Sequence, residues 1–141
     1  MADVLTNAGL AIVTNRIIGS GTEPKYASWG TAAGTAAVGN TTLFTEAMST
    51  QNDGSSHNNR VSGTSSRVTG SQTNDTYQVV ATLTADAGKT ITNAGLFDSD
   101  GLAADLVTAP AGGNLFVKSD FTGIALNTGD AIQFTFKTRF S

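Results

Sequence analysis

Asp98, Ser99, Asp100 and Gly101, with Asp105 beyond them, form the densest group of hard oxygen ligands in the sequence. A hard cation wants several oxygens converging within one loop. An EF-hand would need a third acidic or amide ligand where Leu102 stands and a Glu further on, and neither is present. Asp-Gly pairs also close turns for conformational reasons alone, so no metal is assigned. His57 is the single histidine, and Asp53 is the one carboxylate near it in sequence. A general base needs an orienting partner and shelter from water. A run of Ser and Asn offers little shelter, so His57 reads as a solvated loop residue. No Gly-x-Ser-x-Gly elbow is present to expose a nucleophilic serine.

Phosphate chemistry fares no better. Gly88-Lys89-Thr90 has the ending of a phosphate loop, but the first glycine of that motif falls on Leu83, inside a strand-like run. Gly19-Ser20-Gly21 begins like a dinucleotide loop, but Pro24 replaces the third glycine and a helix precedes it rather than a strand. Asn40-Thr41-Thr42 and Asn74-Asp75-Thr76 fit the glycosylation sequon. The start lacks the basic segment of a signal peptide, so neither is expected to be modified. Tyr26 and Trp29 are the candidate binding or interface residues: an aromatic pair can stack on a sugar or anchor a subunit contact. The chain is expected to be no enzyme, with no catalytic, cofactor-binding or metal-ligating residue.

Composition sets the same limits. The 141 residues suit one domain, large enough to bury about two thirds of its unfolded surface without a metal or disulfide. Net charge is −3, which argues against a protein that tracks nucleic-acid phosphates. Cysteine is absent, which excludes thiol catalysis and thiolate metal sites. No apolar run reaches the length of a membrane-spanning helix. Charged residues are 13% of the chain, about half the usual share. Threonine, at 22 residues, helps fill the gap and suits exposed strand faces.

The elements that would position these residues are mostly strands. A helix is expected over about 6–18, capped by Thr6 or Asp3, with Leu10, Val13 and Ile17 on one stripe and Ala8 and Ile12 extending it. Gly19 stands where a glycine would stop it. Strands follow from about 25 to 140. Tyr77, Val79, Ala81 and Leu83 share one face of a strand. Ile132, Phe134, Phe136 and Phe140 alternate with Gln133, Thr135, Lys137 and Arg139, which describes a strand with one wet face. Further strands are expected at Tyr26–Gly30, Thr90–Phe97 and Leu115–Phe121, with a weak or edge strand over 60–69. Thr41–Ala47 fits a strand or a short helix. Thr31–Asn40, Gln51–Asn59 and Ala103–Gly113 read as loops. Strands at about ten-residue spacing, punctuated by Gly and Asn, predict a mainly β fold. The expectation is a single domain over 1–141: an antiparallel β-sandwich or barrel with one N-terminal α-helix. Leu5-Thr6-Asn7-Ala8-Gly9-Leu10 recurs almost intact as Ile91-Thr92-Asn93-Ala94-Gly95-Leu96. Without a third copy this reads as chance, not as a repeat period.

One resemblance covers most of the chain, through short motifs. Ala8-Gly9-Leu10-Ala11 is followed by Pro24-Lys25-Tyr26-Ala27-Ser28-Trp29-Gly30-Thr31. Then come Thr42-Leu43-Phe44-Thr45-Glu46, Ile91 to Asp98, Gly113-Asn114-Leu115-Phe116 and a terminal amphipathic strand. This order resembles small virion proteins of tailed bacteriophages, and is similar to the collar-type N-terminal domains of their tail fibres. The chain departs from a tail fibre in having no repetitive shaft and no tip. In that it looks more like a capsid decoration (cement) protein. The resemblance implies a structural protein without activity or cofactor, made in the host cytoplasm and seated on the capsid surface. It implies a homotrimer whose partners are itself and the major capsid protein, with no nucleic acid and no membrane. A tail-fibre or baseplate adaptor, and a host-surface carbohydrate-binding module using Tyr26 and Trp29, are the alternatives.

Overall fold

The computed structural model describes residues 2–54 and 56–140. Strand accounts for 42% of the chain and helix for 8%. The fold is mainly β: two antiparallel sheets packed as a sandwich, with one N-terminal helix. The strands are β1 (Ala2–Leu5), β2 (Tyr26–Gly30), β3 (Glu46–Ala47), β4 (Val61–Ser62), β5 (Thr64–Val68), β6 (Thr76–Thr84), β7 (Lys89–Phe97), β8 (Leu115–Leu126) and β9 (Ala131–Arg139); α1 is Asn7–Ile17. The larger sheet runs β1-β8-β7-β2-β3, with β4 beside the first half of β2. The smaller sheet runs β5-β6-β9.

The core lies where the two sheets face each other. Val79, Ala81 and Leu83 of β6 are buried there, as their alternation predicts, against Trp29, Ile91 and Leu96 of the larger sheet. Burying a side chain of this size contributes about 1.5–3 kcal/mol. β6 and β9 pair over nine consecutive positions from Thr76↔Arg139 to Thr84↔Ala131, with no bulge. A one-residue slip would turn Val79, Ala81 and Leu83 out to water, so burial on one face fixes this register.

The helix forms where expected but is rotated relative to its predicted stripe. Leu10 and Ile17 are exposed, at 54% and 79%. Gly9 and Ile12 are the residues that face the core, with Val13 beside them. The cause is β1, a strand the hydropathy pattern does not reveal. It pairs with β8 from Leu5↔Val117 to Ala2↔Asp120 and leads into the helix through buried Thr6. The Thr6 N–H donates to the Phe116 carbonyl at 3.0 Å, and its hydroxyl accepts from the Gly9 N–H at 2.9 Å while donating to the Leu115 carbonyl. That corner fixes the rotation and lays Gly9 on the backbone of β8. A Cβ at Gly9 would stand 2.3 Å from the Phe116 carbonyl oxygen. Gly9→Ala is therefore expected to destabilise the protein by about 1–3 kcal/mol through overpacking, despite a helix-propensity gain of about 1 kcal/mol. The urea midpoint would report it, and a rise in midpoint would disprove the close contact.

The repeated Thr-Asn-Ala-Gly-Leu is used in two conformations. The first copy turns from β1 into α1, and the second lies wholly within β7. Both glycines nonetheless press on β8: a Cβ at Gly95 would come within 2.6 Å of the Val117 carbonyl oxygen.

Thr41–Ala47 is neither a full strand nor a helix. Only Glu46–Ala47 pairs, with Gly30 and Trp29. The rest is held by side chains reaching up from the sheet beneath it. β8 is also longer than predicted, continuing through Thr122, Gly123 and Ile124 to Leu126, because hairpin pairing with β7 sustains a stretch whose own side chains are largely exposed.

Candidate functional site

The outer face of the larger sheet carries two buried cations beneath loops. Arg60 precedes β4 and is 2% exposed. Its Nε donates to Glu46 Oε1 at 2.7 Å and its Nη2 to Glu46 Oε2 at 3.0 Å, a bidentate pair. Nη1 donates to the Ser99 carbonyl at 3.0 Å, and the guanidinium carbon lies 3.5 Å from the Phe97 ring centroid. The Arg60 N–H donates to the Asp100 carbonyl at 2.7 Å. The planar fork and the aromatic face are the two features that suit arginine rather than lysine here. Together they tie β3 and the loop after β7 to one residue.

Lys118 sits in β8 and is 1% exposed. Its Nζ donates to the Thr42 carbonyl at 2.9 Å and lies 3.0 Å from the Phe44 ring centroid. Asn93 in β7 works on the same loop. Its Oδ1 accepts from the Phe44 N–H at 3.0 Å, and its Nδ2 donates to the Phe44 and Ala32 carbonyls at 3.2 and 3.3 Å. A loop without its own secondary structure thus finds its hydrogen bonds in side chains of the sheet below it. Burial pushes the Lys118 ammonium down to about 8 from 10.5, with Asp120 opposing the shift. Between those values the unfolded chain holds this proton and the folded chain has released it. Stability is therefore expected to rise as pH rises from about 8 to 10.5, and to be lower below 8, where the buried ammonium is charged. Thermal unfolding of wild type against Lys118→Met, followed across that window, checks it. A difference between the two that does not change with pH would refute it.

The sequence-predicted candidates do not converge. Trp29 is wholly buried between the sheets, with Nε1 donating to the Met48 carbonyl at 2.9 Å. A ring with no exposed face offers no stacking platform, so Trp29 is a core residue rather than a binding one. Tyr26 is half-buried and packs on the small cluster of Leu43, Phe97 and Leu115. The two side chains lie on opposite faces of β2, since an odd spacing along a strand separates them.

His57 does have an orienting carboxylate. Its Nδ1 lies 2.9 Å from Asp53 Oδ2. Asp53 also accepts from the Ser56 and His57 N–H groups. These bonds, led by that of the His57 side chain, hold its carboxyl down at about 2. Both side chains are about one third exposed, and no hydroxyl bonds His57 among the described residues.

The Asp98, Asp100 and Asp105 carboxylates are spent on the chain itself. Asp98 accepts from Asn114 N–H and Nδ2 at 2.7 and 2.9 Å. Asp100 accepts from the Leu102 N–H, and Asp105 from the Val107 and Thr108 N–H groups. Hydrogen bonds at Thr108 and Val107 hold the Asp105 carboxyl below its ordinary range. No three potential metal ligands come together among the described residues.

What the sequence pattern left unseen is a seam. β9 and the β1–β8 edge stand on the same side of the sandwich, and a cleft of about 270 Å³ runs between them. Phe121, Phe134 and Phe136 line it and are only half-buried. The Phe121 and Phe134 ring centroids are 6.2 Å apart, and those of Phe134 and Phe136 are 5.8 Å apart and stacked. The alternation along β9 marks its apolar face but cannot tell that, among the described residues, no further strand pairs its outer edge. A second apolar hollow lies between α1 and β6, where Ile17 and Phe140 remain exposed.

No helix is long and apolar enough to cross a membrane among the described residues. Comparison with known proteins adds no name to this geometry: no protein family, no curated protein and no solved structure matches the chain.

Proposed function

We propose that this chain is a structural protein of a tailed-bacteriophage particle: a capsid decoration protein that binds the outer shell as a homotrimer and stabilises contacts between capsomers. The observation that carries this reading is the division of labour on its surface. The Asp53, Asp98 and Asp105 carboxylates and the His57 ring are tied up in local bonds, while aromatic rings along β8 and β9 are left half-covered. Such a surface is suited to contact rather than to reaction. The sequence resemblance to small virion proteins points to the particle, and it is the support for the capsid as the partner.

Low charge suits crowded copies on one lattice, because long-range repulsion between them is weak. Symmetric copies binding a symmetric shell gain avidity from modest contacts. No enzymatic role, cofactor, nucleic-acid partner or membrane partner is proposed. Co-sedimentation of the purified protein with undecorated capsids of the parent virus is the test. Saturable binding at many copies per shell, with a higher temperature of shell disruption, is the expected result. Binding at only a few copies per particle would replace this reading with a tail-fibre or baseplate adaptor. Absence of binding would overturn it.

A further inference from the structure

We infer that the seam between β9 and the β1–β8 edge is the contact surface for further copies of this chain, arranged around a rotation axis that runs along the seam.

β9 hydrogen-bonds to β6 on one side, and among the described residues no strand pairs its other side. Its nine residues lie in unbroken register, with no bulge, no proline and no charged residue among Ile132, Phe134 and Phe136 on the inner face. A bulge, a proline or an inward-pointing charge would protect such an edge, and β9 has none of these; its outward Lys137 leaves the edge open to a partner that meets that charge with one of opposite sign. The rings beside it are Phe121, Phe134 and Phe136, which other copies would cover.

Charge selects the occupant. The β9 lip carries exposed Lys137, while the side chain of Arg139 reaches across β6 to Gly70, away from the free edge. The β1 lip carries exposed Asp3, which accepts from the Ser119 hydroxyl. Among the described residues, neither Lys137 nor Asp3 has an ion-pair partner within the chain. One lip is basic and the other acidic, so a partner of single sign would suit one and be repelled by the other. A rotated copy of the same seam satisfies both. With the axis along the strands, each copy turns its seam inward and its β9 lip meets the β1 lip of the next. Cyclic closure then leaves no lip unpaired. This inference names the surface through which the proposed trimer would form, but it needs no capsid and stands or falls separately.

Native mass spectrometry across low to high micromolar concentrations tests it on the full chain. Wild type is expected to form a closed oligomer. Lys137→Glu and Asp3→Lys, each alone, are expected to weaken assembly by roughly tenfold or more. Combining the two substitutions reverses both lips and is expected to restore it. Circular dichroism checks that each variant is folded. If a variant unfolds, hydrogen exchange of wild type decides instead: the β9 amides should gain protection with protein concentration. A monomer at every concentration overturns the inference, as does an oligomer that none of the substitutions weakens or β9 exchange that ignores concentration. An oligomer that needs the seam but ignores capsids would sink the virion reading alone. Capsid binding that survives the lip variants, with the oligomer unchanged, would sink the seam alone.

Discussion

Arg60→Ala is expected to lower the unfolding free energy by about 3–5 kcal/mol, the cost of leaving a buried charge without its partner. The guanidinium makes two hydrogen bonds to Glu46, one to the Ser99 carbonyl, and covers the Phe97 ring. Glu46 is itself largely shielded, with 9% of its side chain exposed. Alanine removes every one of these contacts and strands the carboxylate under the loop. The loss is a large share of the roughly 5–15 kcal/mol that holds a domain of this size together. Urea unfolding at constant slope measures it. The double variant Arg60→Met with Glu46→Leu separates the two parts of the effect. Replacing both ions by apolar residues of similar size is expected to recover most of the loss, because desolvation of a buried pair offsets much of its attraction. If the single and double variants lose equally, the pair itself stabilises the fold and the stranded charge is not the cause.

Trp29→Ala is expected to cost a similar amount, about 3–5 kcal/mol, through the cavity it opens between the sheets. The ring is fully buried, and Leu96, Val79 and Ala81 belong to the same cluster. Trp29→Phe should cost clearly less, since most of the volume stays. The Met48 carbonyl keeps a donor in that variant, because Lys89 Nζ also bonds it at 2.7 Å. This outcome separates a core tryptophan from a sugar-stacking one. A binding tryptophan would lose its ligand on truncation while the unfolding midpoint stayed put. A midpoint for Trp29→Ala within error of wild type would mean the indole is not packed as described.

These two residues also show how far the sequence can be read. Trp29 stands in a short run rich in small residues and offers no periodicity to say which way it points. Its burial follows from β2 lying between β7 and the pair β3 and β4, with the smaller sheet across from it. Arg60 stands at the edge of a polar loop, where an arginine is ordinarily solvated. It is buried because Glu46, Phe97 and Ser99, far apart in sequence, converge on it. Lys118 gives the same lesson within a strand: the cation belongs to the face that the loop over residues 31–45 covers, and nothing in the strand's own residues announces a cover.

The sequence by itself determined the strand-rich class, the helix at the start, the turn at Asn127–Asp130, and the buried face of β6. Each is a local property: a two-residue or near-four-residue period, a capping threonine, or a turn residue suited to its backbone. Tertiary structure alone decided the rest. β1 is too short to show a period, and its pairing with β8 set which face of the helix turns inward. The alternation of β9 marked an apolar face, but whether that face is closed depends on how many strands lie beyond it. That is a matter of sheet order, which distant pairings fix. The seam was legible as hydrophobicity in the sequence, and as an open edge only in the fold.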